Sequence, residues 1–469
     1  MKICHLVFLV YLFFHAYCDS DVLVGYHVTL AVPPAYSSGF VGRAFIMETD
    51  QTEPNFRTAV SVEALDDKYA CSLDIFLGNV KVWSSGHFSR FYTADKCMLE
   101  LTEDGDLQLK GQKEIIGWRS GTSGQGVQRL HLLETGNLIL VDPLNLIKWQ
   151  TFNFPTDVML QGQRLSSRTR LTSFISSNSS LFYSFEIQYD KIVLYLNSGK
   201  WKYSYWEFKP YPYGEKNITY IELTSKALEI FNGKFQKVAQ ITSEQLQPVR
   251  FLALGNSTGN LGLYYYSAER QMFQASYQAL NGTCDLPLAC NPYGICTFSN
   301  ACSCIRLMTK GIGSLPDCST DGISEGLCGR NQAEMVELQG VTSILRQGIP
   351  SEVNISKDAC ANLCLDNCTC VAALYISSAE ADANLQQCFL YGLVRGVKEI
   401  QRGSTGSYWV KMPKGSRDQV HGKSSGLKKW SVIVIGVVDG FIIFIVLAGI
   451  GYYIIQKRRQ TSLNTRHTP

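Results

Sequence analysis

Residues 130–162 read LHLLETGNLILVDPLNLIKWQTFNFPTDVMLQG. Apolar and polar residues alternate on both sides of Gly136-Asn137, which predicts two antiparallel strands joined by a tight turn. The pattern recurs upstream in Cys97-MLELTEDGDLQLK, folded about Asp104-Gly105. From about 21 to 165 the chain consists of such short runs separated by Gly, Asp and Asn turns, with no long amphipathic helix. It reads as an all-β domain of repeated hairpins. The style continues from 166 to 283, where Phe182-YSFEIQY, Lys191-IVLYLN and Trp201-KYSYWEF are rich in aromatic and β-branched residues. The cluster Trp201, Tyr203, Tyr205, Trp206 and Phe208 is read as sheet core or an inter-domain contact in preference to a sugar-stacking platform.

The full chain of 469 residues is 45% hydrophobic and 18% charged, enough apolar material for sizeable cores and against disorder over most of its length. A formal net charge of +3 excludes a strongly basic nucleic-acid binder. The N-terminus has a basic Lys2, an apolar run Leu6–Phe14 and the small-residue ending Ala16-Tyr17-Cys18, which describes a secretory signal peptide over 1–18. A second apolar run, Ser431–Ile455, is long enough for a tilted membrane helix, which needs about 20 residues. Trp430 and Tyr452-Tyr453 mark its two interfaces, giving a span over 430–455 followed by the basic Lys457-Arg458-Arg459. The expected topology is single-pass type I at the plasma membrane, with the long N-terminal part outside and a tail over 456–469 too short for a catalytic domain. Asp439 inside the span is costly in lipid and is a candidate contact for a partner helix.

With Cys4 and Cys18 removed alongside the signal, 14 of the 16 cysteines remain, an even number. They fall as Cys71 and Cys97, then six over 284–318, then six over 328–388. In a secreted chain lacking nearby histidines, disulfides are favoured over zinc. The spacing alone leaves the pairing open. Asn178, Asn217, Asn256, Asn281, Asn354 and Asn367 begin Asn-X-Ser/Thr sequons, all on the expected outer side. Residues 412–429 are polar and Gly/Ser-rich and read as a flexible stalk.

The stretch from Leu130 resembles the lectin region of plant S-domain (G-type lectin) receptors. That family carries a motif of the type L-L-D-S-G-N-L-V-L followed by W-Q-S-F-D-x-P-T-D-T-L-L-P-G. The matching residues are Gly136, Asn137, Leu138, Leu140, Trp149, Gln150, Phe152, Pro155, Thr156, Asp157, Leu160 and Gly162. The resemblance implies a bulb-type lectin β-prism over 19–165 and a second lectin-like or S-locus-like region over 166–283. The family's mannose pocket has the pattern Q-x-D-x-N-x-V-x-Y, whose polar groups hydrogen-bond sugar hydroxyls while an apolar residue packs the ring. Here the two candidate positions give Thr102, Asp104, Asp106, Gln108, Lys110 and Leu133, Thr135, Asn137, Ile139, Val141. Neither keeps the Gln or the Tyr, which favours a lectin-like scaffold over mannose binding there. The candidate ligand contacts are Asp104, Asp106 and Asn137.

The cysteine spacing over 284–318, C-x5-C-x5-C-x5-C-x-C-x13-C, resembles the EGF-like module of the same receptors. The family implies Cys284–Cys296, Cys290–Cys302 and Cys304–Cys318, and the calcium-binding signature is not evident. Cys360 and Cys364 share one face of an expected helix. Residues 328–411 resemble a PAN/apple domain, a sheet carrying one helix. That family implies Cys360–Cys388 and Cys364–Cys370, leaving Cys328 with Cys368. The overall fold class is therefore mainly β: lectin β-prisms, a small disulfide-rich EGF-like module, an α+β PAN module and one transmembrane helix.

No catalytic constellation appears. His27, His87, His131 and His421 are scattered, and Gly121-TSGQG lacks the Lys-Ser/Thr of a phosphate loop. No metal or cofactor is expected, and the chain is read as no enzyme. The resemblance implies a kinase-less receptor-like surface protein that binds an extracellular glycan, glycoprotein or peptide and acts with a partner receptor kinase or a second copy of itself. The alternatives are a non-signalling tether between wall and membrane, and a decoy competing with full-length S-domain receptor kinases.

Overall fold

Two Asp/Thr-Gly turns show how this sequence makes its sheets. At Asp104-Gly105 and Thr135-Gly136 the glycines adopt φ of 86° and 81°, a left-handed conformation that costs glycine little. Space demands glycine as well: a Cβ would lie 2.8 Å from Val127 Cβ at the first turn and 2.4 Å from the Phe56 ring at the second. Each turn closes a hairpin, with Leu101 opposite Leu107 and Leu132 opposite Leu138.

The computed structural model describes residues 21–414 and 447–457, apart from 51–53, 177–179, 211–216, 306–317, 319–326, 348–350, 379–384, 402–405 and 456. Three antiparallel sheets form a first β-prism. They are Val22–Leu23, Arg129–Leu132, Leu138–Val141 and Ile147–Gln150; then Ile116–Arg119, Leu107–Lys110, Lys96–Leu101 and His27–Ala31; then Val41–Glu48, Phe56–Leu65, Lys68–Leu77 and Val80–Ser84, with Phe91–Thr93 also on Lys68–Leu77. Alternate leucines (Leu99, Leu101, Leu107, Leu109, Leu130, Leu132) point into one core and are almost fully buried. Cys71 and Cys97 are bonded inside it.

A second prism repeats the plan. Its sheets are Val158–Leu160, Val249–Leu254, Leu261–Ser267 and Met272–Gln278; Arg164–Ser166, Ile218–Leu223, Ala227–Asn232 and Lys237–Thr242; and Arg170–Phe174, Leu181–Ile187, Ile192–Ser198 and Trp201–Phe208. Its first strand begins at Val158, ahead of the division drawn at 165/166 from sequence. The first of these sheets is a partition wall. Val158, Leu160 and Phe251 on one face join the first prism's core, whereas Met159, Leu252 and Leu254 on the other join the second's. The period of two along a strand makes this possible: neighbouring residues serve opposite cores.

The cysteine-dense part folds onto the second prism. Gly294–Cys296 and Cys302–Cys304 join Val397–Glu399 and Val341–Ser343 in one mixed sheet, so the two small modules share a sheet. A further five-stranded sheet, in the order Ala333–Leu338, Gly406–Pro413, Ala372–Ser378, Leu385–Tyr391, Glu352–Val353, carries the helix Lys357–Asp366. Ser356 caps that helix, its hydroxyl accepting from Ala359 N at 3.2 Å, and Asp358 in the first turn suits the positive end of the helix dipole. Cys360 and Cys364 point down into the sheet and are fully buried. The disulfides are Cys284–Cys296, Cys290–Cys302, Cys304–Cys318, Cys328–Cys368, Cys360–Cys388 and Cys364–Cys370.

Among the described residues no helix is long and apolar enough to cross a membrane. Of the span expected over 430–455, residues 430–446 lie outside the described residues, and 447–455 are helical. The signal peptide at 1–18, Asn178, Asp439 and all but the first three residues of the stalk also lie outside them.

Candidate functional site

The three residues singled out as sugar contacts are placed in the two glycine turns, where they make bonds within the protein. Asp106 Oδ1 accepts from Ser120 Oγ at 2.9 Å, Gly121 N at 2.8 Å and Thr122 N at 3.0 Å, and Oδ2 accepts from Gln108 Nε2 at 3.0 Å. Burial works against its charge, but these donors prevail and hold the carboxyl below the usual carboxylate range. Asn137 Oδ1 accepts from Thr151 Oγ1 at 3.1 Å and Phe152 N at 3.2 Å, while Nδ2 donates to Gln150 Oε1 at 2.8 Å. Both side chains are buried clamps that tie a hairpin turn to the chain leaving the third strand. Asp104 is exposed, and the hydroxyls of Ser123 and Thr102 hold its carboxyl low. Asp106 and Asn137 therefore serve the fold here, with their hydrogen-bonding capacity largely used.

The same clamp exposes a repeat. Leu73 N donates to Ser85 Oγ at 2.9 Å, Leu107 N to Ser120 Oγ at 3.0 Å and Leu138 N to Thr151 Oγ1 at 3.0 Å, once in each sheet of the first prism. Each hydroxyl lies two residues after a tryptophan: Trp83, Trp118 and Trp149. The three indoles converge edge to face, with ring centroids 6.3 Å (83–118), 6.1 Å (83–149) and 5.7 Å (118–149) apart. Such tilted pairs suit the aromatic quadrupole. Sequence reading found Trp149 in its motif but missed its partners. The signal was present as a repeated W-x-[S/T], in Trp83-Ser-Ser85, Trp118-Arg-Ser120 and Trp149-Gln-Thr151.

Above the indoles lies a cavity of about 530 Å³, within the range of ordinary ligand pockets. Trp83, Trp118 and Trp149 line it together with Phe88 and Phe154, which remain 60% and 50% exposed. The far wall, from Pro155 to Thr172, comes from the start of the second prism. Phe154 stacks on Trp149 at 5.8 Å, and its carbonyl accepts from Trp83 Nε1 at 2.9 Å, fixing that rim.

Two further cavities flank the same prism. One of about 450 Å³ is lined by Tyr36, Tyr69, Phe91 and Tyr92, but the Tyr69 hydroxyl is spent between Ala35 O (2.6 Å) and Ser37 N (2.8 Å). The other, of about 300 Å³, holds charged groups at the joint between prisms, with His87 and Asp157 4.0 Å apart. His87 Nε2–H donates to Thr172 O at 2.7 Å. Burial lowers the pKa of His87 and raises that of Asp157, since neither charge is well solvated at the joint.

The aromatic cluster at 201–208 is placed chiefly at a module contact. Tyr203 is fully buried, stacks on Tyr391 at 5.4 Å and on Trp201 at 6.1 Å, and its hydroxyl accepts from Gly392 N at 2.8 Å. Asn217, Asn256, Asn281 and Asn354 are exposed on the surface. Asn367 is half-buried, and its Oδ1 accepts from Thr369 N and Oγ1 at 3.0 and 2.9 Å. No group of three or more potential metal ligands occurs among the described residues.

Residues 82–179 match the family model described as D-mannose binding lectin. A G-type lectin S-receptor-like serine/threonine-protein kinase of Arabidopsis thaliana is 24% identical over 394 residues, covering 81% of this chain and 46% of that protein. A PAN domain-containing protein of Arabidopsis thaliana is 25% identical over 293 residues, covering 58% of this chain and 56% of its own. The chain thus spans about half the length of these relatives. A monomeric monocot mannose-binding lectin from Gastrodia elata aligns with 28% of this chain and 94% of its own at 20% identity and a TM-score of 0.18, a superposition too weak to add to the fold described above. The chain carries a lectin domain, and its relatives are consistent with an S-domain receptor-like protein.

Proposed function

We propose that this chain forms the exterior of a receptor-like protein at the plasma membrane. It binds an extracellular glycan, glycoprotein or peptide, and it acts with a partner receptor kinase. Its role is binding, with catalysis left to the partner. The observation that carries this reading is the module order: two lectin-type prisms followed by two disulfide-closed modules fused to the second prism. The lectin-family match and the receptor-kinase relatives support it. The seven disulfides among the described residues suit an oxidising, extracellular compartment. The exposed sequons suit glycosylation there, and the apolar run over 430–455 supplies a single-pass type I anchor.

The test is an array of wall-polysaccharide fragments and N-glycans probed with the full glycosylated chain in detergent. Saturable retention of one glycan class is the expected result. A correctly folded chain that retains no glycan overturns the glycan-binding reading.

A further inference from the structure

The cavity above the three indoles differs in chemistry from the turns where the family resemblance places sugar contacts. Its lining combines five aromatic rings, several Ser and Thr hydroxyls, Asn153 and two arginines, Arg119 and Arg170; no Asp or Glu is among the described lining residues. Arg119 closes the strand Ile116–Arg119 and is exposed. Arg170 reaches Glu186 at 3.5 Å, but that carboxylate also holds Lys202 at 2.5 Å, so one acid is shared by two bases. The lining itself thus carries two cations and no acid, with the Asp106 and Asp74 carboxylates held behind it on Ser120 and Ser84.

We propose that this cavity binds an acidic saccharide, a uronate-bearing oligosaccharide. The apolar C–H faces of the sugar rings lie against Trp118 and the exposed Phe88 and Phe154. Their hydroxyls meet the Ser, Thr and Asn side chains, and the carboxylate pairs with Arg119 and Arg170. A planar guanidinium matches a carboxylate in a bidentate fashion, which makes this pairing the discriminating one. The inference deepens the glycan-binding reading and rests on it. It assigns the ligand to the inter-prism end of the first prism, on the cavity side of Ser120, whose hydroxyl Asp106 holds from behind, and not to Asp104, Asp106 or Asn137 themselves.

The experiment is calorimetric titration of the full glycosylated chain with trigalacturonate, fully methyl-esterified trigalacturonate and mannotriose. Trigalacturonate is expected to bind saturably and at least about tenfold more tightly than the other two. Arg119→Gln and Arg170→Gln should each weaken it by about tenfold or more without moving the thermal midpoint, and raised salt should weaken it in parallel. Phe88→Ala, at an exposed ring, provides a variant that keeps the fold and should also lose affinity. Equal binding of the ester or of mannotriose overturns the site, as does trigalacturonate binding that neither arginine variant weakens; both results leave the glycan-binding reading standing. Failure of trigalacturonate to bind while the array retains other glycans overturns this site alone. No retention of any glycan overturns both.

Discussion

The two prisms follow one plan of three sheets, four-stranded except where Phe91–Thr93 adds a fifth strand to one sheet of the first, yet they close in different ways. The first has its own core, one internal disulfide and an open cavity over three indoles. The second shares a continuous core with the modules that follow, through Tyr293, Leu345, Tyr391 and Tyr408. Backbone bonds between Ser204 and Arg346, at 2.8 and 2.7 Å, stitch it to the PAN-like part. Buried tyrosines need partners for their hydroxyls, and Tyr205 and Tyr391 find them in Gly259 O at 2.6 Å and Leu345 O at 2.9 Å. The same fold thus serves once as a hub and once as a cavity-bearing head.

The largest expected effect tests that division directly. Tyr203→Ala removes a fully buried ring from the stack with Tyr391 and should cost about 3–5 kcal/mol. Calorimetry of the full chain should show the transition of the second prism and the PAN-like module falling, with the first prism's transition much less affected. An equal shift throughout would show that the partition wall couples both cores into one cooperative unit.

A smaller effect should be confined to the head. Asp106→Ala strips the acceptor from Gly121 N and Thr122 N, both then left without this partner inside a tight turn, at a cost of about 1–3 kcal/mol. The first transition alone should fall. Asp104→Ala, at an exposed side chain, should leave both transitions in place, separating a structural clamp from a surface carboxylate. Loss of trigalacturonate affinity in Asp104→Ala with the fold intact would move the ligand back toward the turns.

Much of this was legible in sequence, for physical reasons. The Gly105 and Gly136 turns announce hairpins because the left-handed backbone and the tight space both demand glycine there. The mainly β architecture follows from alternation around them. The functional status of Asp106 and Asn137 was not legible. A carboxylate or amide after a turn glycine looks the same whether it faces a sugar or a neighbouring backbone, and only the third strand's position decides. The merging of the second prism with the cysteine-rich part was hidden too. Tyr203, Tyr391 and Tyr408 meet across nearly two hundred residues of chain, and no local pattern encodes such a contact. The Trp-x-Ser/Thr repeat was readable, but its spacing, 83 to 118 to 149, is uneven because the loops between sheets differ in length.

The smallest expected effect concerns the joint between head and hub. His87 belongs to the first prism, while Thr172, Asp157 and Phe174 come from the second, and the imidazole packs on Phe174 at 5.4 Å. Because burial lowers the pKa of His87, the unfolded chain takes up this proton first as pH falls below about 6.5. Stability from the neutral imidazole is present above that pH and is lost on acidification toward the lowered folded value. Asp157 acts in the opposite sense: its raised pKa lets the folded chain take up a proton before the unfolded one, so acidification through that value adds stability. Lys81 opposes this rise by favouring the Asp157 carboxylate. His87→Gln removes the first contribution and, because the charged imidazole is the chief force lowering the Asp157 pKa, enlarges the second. Relative to the parent, the variant's thermal midpoint should therefore improve as pH is lowered from about 7 to about 5, by roughly 2 °C on the first transition. A pH-independent difference between the two proteins would mean that His87 holds the joint by shape and its bond to Thr172 alone, and that head and hub meet through packing without a titrating contact.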